Sequence, residues 1–162
     1  GASVQSAQLA AQSDWNFIFA AHLNGDKALL HDVLSFWQTH SARPTIVAVQ
    51  VIVADSYDTA AQLAENVQIW GVELEDGQRV TVASEEQALA FAAQSGSPPR
   101  KIARREQALL HGTAQEVMAK LNALHTQFGI DEFIIDTPVA QGHARLTSLR
   151  LLAQAHNAVE VL

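Results

Sequence analysis

The chain has 162 residues, no cysteine, 48% hydrophobic and 17% charged residues, and a formal net charge of −7. At this length folding buries about 70% of the unfolded chain's surface, so a core forms without disulfide or metal staples. The absence of cysteine excludes thiol catalysis, Cys-ligated zinc and iron–sulfur clusters. The acidic balance argues against a nucleic-acid binder, and no apolar run reaches the ~18–20 residues of a membrane span. The opening GASVQSAQLA lacks the basic start and apolar core of a secretory signal, so the expectation is a cytoplasmic protein.

Taken in chain order, SAQLAAQ (6–12) reads as a short helix that Ser3 would cap. NFIFA (16–20) is apolar on both faces, as in a buried parallel strand. DKALLHDVLSFWQTH (26–40) places Leu29, Leu30, Val33, Leu34 and Trp37 on one helical face, and Pro44 stops it. TIVAVQVIVA (45–54) is the strongest strand, rich in β-branched residues. Asp55 and Ser56 then open a helix predicted to run through AAQLAENVQIW to Trp70.

From Gly71 to Arg105 the pattern turns irregular. EDGQ reads as a turn, RVTV as a short strand, and SEEQALAFAAQ as a helix with a Ser84/Gln87 capping box. SGSPPRKIARR adds breaker residues and the cations Arg100, Lys101, Arg104 and Arg105. Order returns with QALLHG, then a helix from Thr113 to Phe128 bracketed by the Thr113/Glu116 box and Gly129. Glu132 to Asp136 is a further strand and Ala144 to His156 an amphipathic helix. Alternating strands and helices predict βαβ units and a parallel sheet. The strands are too few for the eight of a closed barrel.

Three segments together resemble the bacterial luciferase-like family of flavin-dependent monooxygenases. GASVQSAQLAAQSDWNFIFA is similar to the family's G-x-S-x-x-S-A-x-x-A-A run into an apolar strand. VIVADSYDTAAQLAENVQIW resembles its strand, helix and terminal Trp. HGTAQEVMAKLNALHTQFGIDEFIIDTPVAQGHARLTSLRLLAQA is similar to the closing G-T-x-x-E-V, helix, G-x-D-E, strand and R-x-x-S. The match covers only the carboxyl-terminal half of a (β/α)8 TIM barrel, beginning just after the fifth strand. One partial-barrel domain over 1–162, with an irregular insertion or lid at about 71–105, is the expected organisation.

The resemblance implies a monooxygenase that uses O2 and reduced FMN, the latter supplied by a flavin reductase, on a small organic substrate such as an aldehyde. The flavin phosphate would be held by the backbone around Ala2 and by Ser3 and Ser6, at a helix N-terminus suited to anions. His22, just after a strand, would line the flavin or substrate pocket, and Trp70 falls where bacterial luciferase has a pocket Trp. Arg145 and Ser148 are expected to tie the last helix to the barrel. Two alternatives stay open: a deazaflavin (F420)-dependent oxidoreductase, and a non-catalytic half-barrel. The latter would fold by pairing with a copy of itself or the missing half. The scattered histidines 111, 125, 143 and 156 show no ligand spacing, so no metal is expected.

Overall fold

The computed structural model describes residues 1–21, 26–105 and 108–159. The elements in order are α1 (Val4–Gln12), β1 (Ile18–Ala20), α2 (Lys27–His40), β2 (Ile46–Val53), α3 (Tyr57–Glu65), β3 (Ile69–Leu74) and β4 (Arg79–Val82). They continue with α4 (Glu85–Gln94), β5 (Pro99–Arg105), β6 (Leu109–Gly112), α5 (Ala114–Phe128), β7 (Glu132–Asp136) and α6 (Gly142–Val159). The chain forms two compact units, Gly1–Ala64 with Ala108–Leu162, and Glu65–Gln107.

The first unit is α/β with a parallel sheet. β2 is its centre: β1 pairs with it over Ile46–Ala48, β6 over Gln50–Val53, and β7 over Ile46–Gln50, all parallel. A strand has two edges, and Ala48 meets both Ala20 and Ile134 while Gln50 meets both Leu109 and Asp136. β7 therefore takes one edge, and β1 and β6 follow one another along the other.

Strand side chains alternate between faces, and the two faces of this sheet differ. One carries Phe19, Val47, Val49, Val51, Val53, Leu110, Phe133 and Ile135, packed into a single core with the apolar stripes of α1, α2, α5 and α6. Trp37, fully buried on α2, anchors this core; its ring lies 5.4 Å from Phe17 and its indole N–H donates to the Pro44 carbonyl at 3.1 Å. The other face carries Ile18, Ala20, Ile46, Ala48, Gln50, Glu132, Ile134 and Asp136, and there Ile18 and Ile134 expose 38% and 40% of their surface.

Polar ties hold the helix ends. The Gln38 side-chain amide at the end of α2 donates to the Phe128 carbonyl at 2.9 Å, and Thr45 N–H donates to Asp131 Oδ2 at 2.7 Å. Gly129 closes α5 in the left-handed region, φ 61°, where a side chain would be strained.

The second unit is an antiparallel sheet in the order β4-β3-β5 with α4 packed on it. Its small core is Val72, Leu74 and Ala88, with Trp70, Val80, Val82, Phe91 and Ile102 packed around it. Asp76–Gly77 makes the β3–β4 turn, with Gly77 at φ 89° and the Leu74 N–H bonded to the Gln78 carbonyl at 2.9 Å.

Three readings from the sequence are corrected here. The helix predicted to run to Trp70 ends at Glu65, and Trp70 lies in a strand. The reason is non-local: Ile69–Leu74 gains ladders on both edges, and that pairing outweighs a helical period. The stretch read as irregular between 71 and 105 is regular, because PRKIARR pairs as β5 along β3. Its four cations sit on an edge strand, where charge also guards against intermolecular pairing. Of NFIFA, only Ile18–Ala20 is strand; Phe17 is buried just before it.

Candidate functional site

Ser3 has extended backbone and caps α1: its Oγ accepts from the Ser6 N–H at 3.2 Å and lies 3.0 Å from the Ser6 Oγ. The two hydroxyls thus share the first turn of the helix. Gly1 sets the approach. Its N–H donates to the Ile18 carbonyl and its carbonyl accepts from the Ala20 N–H, both at 2.8 Å, which is a parallel bridge opposite Phe19. A Cβ on Gly1 would come within 2.5 Å of the Ser6 Cβ, so only glycine lets α1 start this close to β1.

Helix N-termini carry unpaired N–H groups and a positive dipole end, and at α2 and α5 carboxylates already answer them. Asp26 Oδ1 accepts from the Ala28 and Leu29 N–H groups at α2. Asp58 sits in the first turn of α3. At α5, Glu116 Oε2 accepts from Thr113 N–H and Oγ1 at 2.8 and 2.9 Å, and these bonds hold the Glu116 carboxyl below its ordinary pKa. The first turn of α1 has no acid. α3 begins with a similar pair, Ser56 Oγ accepting from the Thr59 N–H at 3.2 Å and lying 2.9 Å from Thr59 Oγ1, but with Asp58 in its first turn, so α1 differs in pairing its hydroxyls with an acid-free first turn. Ala2, Ser3 and Ser6 lie together at the start of α1.

His22 lies outside the described residues. Trp70 belongs to the second unit, half-buried against Val72, Leu74 and Ala88. Arg145 and Ser148 make structural ties: Arg145 Nε donates to the Val139 carbonyl at 3.0 Å, and the buried Ser148 Oγ accepts from the Val53 N–H at 2.8 Å.

A second cluster went unread in the sequence. On the less covered face of the parallel sheet, towards the C-terminal ends of the strands, the Gln50 side-chain amide donates to Asp136 Oδ2 at 2.8 Å. The next residue up β6 on that face is His111, level with Ile52. The His111 ring lies 5.4 Å from that of Tyr57, the first residue of α3. Its Nδ1 is buried and finds no hydrogen-bond partner among the described residues, as is also true of Thr137 Oγ1 just past β7. One signal was present: Gln50 is the single polar residue inside the apolar run 46–53. His111 could be assigned to this face only once the register of β6 was known. Among the described residues no group of three His, Asp or Glu side chains could hold a metal ion. No helix among them is long and apolar enough to cross a membrane.

This geometry defines an α/β protein with helices on one face of a parallel sheet and polar groups at the strand ends. No family model matches the chain. It is 29% identical over 159 residues, 96% of its length, to N-acetyl-S-alkylcysteine monooxygenase of Bacillus subtilis (strain 168), spanning 47% of that protein. Its fold is shared with the crystal structure of apo-MsnO8, at TM-score 0.63 and 20% identity, over 97% of this chain and 49% of that one. It is likewise shared with monooxygenase RslO1 from Streptomyces bottropensis, at TM-score 0.62 and 16% identity, over 97% and 45%. The chain thus spans about half the length of the proteins it matches.

Proposed function

We propose that this chain is the carboxyl-terminal half-barrel of a luciferase-like monooxygenase that uses reduced FMN and O2 to oxidise a small organic substrate. What carries the reading is similarity along 96% of this chain to about half of a monooxygenase, joined to a hydroxyl-lined, acid-free helix start where the resemblance requires a phosphate grip. Ser3 and Ser6 would turn their hydroxyl protons from each other to phosphate oxygens, and the first-turn N–H groups of α1 would add charge-matched donors. Reduced flavin, when bound, supplies the two electrons by which one oxygen atom of O2 enters the substrate and the other leaves as water. The chain's own work is to bind, orient and exclude water. The phosphate grip would serve a deazaflavin equally well.

The test is binding of FMN and of riboflavin, which lacks the phosphate, to the full chain and to its Ser3→Ala/Ser6→Ala variant. Preferential loss of FMN binding supports the reading. Equal losses, or no binding of either flavin, overturn it.

A second reading rests on a specific observation: parallel sheets are ordinarily covered on both faces, and here Ile18 and Ile134 stand exposed on one of them. In this reading the chain is a non-catalytic half-barrel that pairs through that face with a copy of itself or with a complementary half.

A further inference from the structure

We propose that His111 is a ligand-contacting residue whose Nδ1 hydrogen-bonds a small uncharged polar molecule, one bearing a carbonyl or hydroxyl, on the less covered face of the parallel sheet. The inference deepens the proposed function by naming what this chain offers the organic substrate, and it rests on reading that face as the substrate side.

Four observations converge on His111. The first is its orphaned atom: buried side-chain polar atoms almost always have partners, and the Nδ1 of His111 has none among the described residues. The second is its fixed position. β6 is laddered to β2 with His111 level with Ile52, and the His111 carbonyl accepts from Lys120 Nζ at 2.8 Å. Tyr57 packs against the ring at 5.4 Å, so the imidazole is held on its side as well. The third is location, at the C-terminal ends of parallel strands, where ligands of such sheets bind.

The fourth observation chooses the class of ligand. The charged residue that the strand registers place nearest His111 on this face is Asp136, with Gln50 bonded to it, whereas Glu132 lies at the other end of β7, level with Ile46. A carboxylate-bearing ligand would meet the like charge of Asp136, whereas a carbonyl or hydroxyl asks only for the single hydrogen bond that His111 has to give. Apolar parts of the molecule would lie against Leu109, one row below, and Ala48 and Ile134, two rows below.

The experiment is a titration of the full ¹⁵N-labelled chain with 2-hexanone, read at the His111 imidazole nitrogens by NMR and assigned by their loss in His111→Asn. The expected result is a saturable shift of the Nδ1 signal, with hexanoate producing it only at markedly higher concentration. His111→Leu should weaken 2-hexanone binding by about tenfold, the worth of one hydrogen bond. His111→Asn, which keeps a polar atom near the Nδ1 position, should weaken it by less than threefold, about the lower end of that range. An imidazole signal unmoved up to the solubility limit of 2-hexanone overturns the proposal, and means that a water satisfies Nδ1. Equal losses in the two variants overturn it as well, because shape alone would then matter. Tighter binding of hexanoate overturns the class of ligand. FMN binding is measured separately on the same samples. If FMN fails to bind while 2-hexanone moves the imidazole, the flavin reading falls and the His111 site stands; the reverse pattern removes the His111 site alone.

Discussion

The Ser148 hydroxyl, buried inside the first unit, accepts the Val53 N–H at 2.8 Å and so joins the last helix to the C-terminal end of the central strand. The two residues are 95 positions apart in sequence. Val53 N–H sits at the top of β2, where an unmade bond would leave a buried donor without water. Ser148→Ala should therefore destabilise the chain by about 1–3 kcal/mol, the cost of a stranded buried donor. Urea denaturation at constant m-value checks it, and an unchanged midpoint would show that the helix is held by packing alone.

Ser3 and Ser6 give a different kind of prediction, because their stability cost and their ligand effect can be separated. Ser3→Ala removes an N-cap and should cost about 1 kcal/mol. Ser6 caps nothing, so Ser6→Ala should leave stability nearly unchanged while still weakening FMN relative to riboflavin. Fluorescence titration of the single variants, set beside their melting curves, separates the cap from the grip.

Glu116 carries a pH dependence of known sign. Its carboxyl is held below the ordinary value, first by the Thr113 backbone N–H and then by the Thr113 hydroxyl. A carboxyl with a depressed folded pKa adds stability above its unfolded pKa and loses it as pH falls through the folded one. Stability should then fall on acidification below about pH 4.5, the unfolded carboxylate range, and Glu116→Gln should flatten part of that fall. Denaturation midpoints at neutral and acid pH, compared between the two proteins, measure it.

Gly129 ends α5 at φ 61° with its N–H bonded to the His125 carbonyl at 2.9 Å. A Cβ there would also sit 3.1 Å from Gln38 Nε2, which bonds the Phe128 carbonyl. Gly129→Ala should cost about 1 kcal/mol or somewhat more, from the left-handed backbone and the displaced amide together. Thermal unfolding reads the loss directly.

Ile134 tests whether the exposed face is covered in solution. In the isolated chain it is 40% exposed, so Ile134→Lys should change folding stability by no more than about 0.5 kcal/mol. If the face pairs with another copy, native mass spectrometry of the parent should show a multiple of 17.5 kDa that the variant loses. A parent and variant of the same single-chain mass would remove pairing of this face with a second copy.

The sequence determined by itself whatever depends on neighbours along the chain. The Thr113/Glu116 capping box and the Gly129 stop are local, and both are found where the spacing puts them. The same holds for the Ser3 cap, for the apolar stripe of α2 through Trp37, and for the β-branched run of β2. Tertiary structure decided whatever depends on a partner strand. Trp70 reads as the last residue of a helix until β4 and β5 supply ladders on both edges of β3. PPRKIARR reads as a breaker with a charge run until β3 accepts PRKIARR as an edge strand. His111 was one of several scattered histidines; only the register of β6 on β2 turns its ring to the less covered face, and only packing leaves its Nδ1 without a partner. Caps, stops and periods are fixed by interactions within a turn or two, whereas strand pairing and burial are set by residues far away in sequence, and no local pattern carries that information.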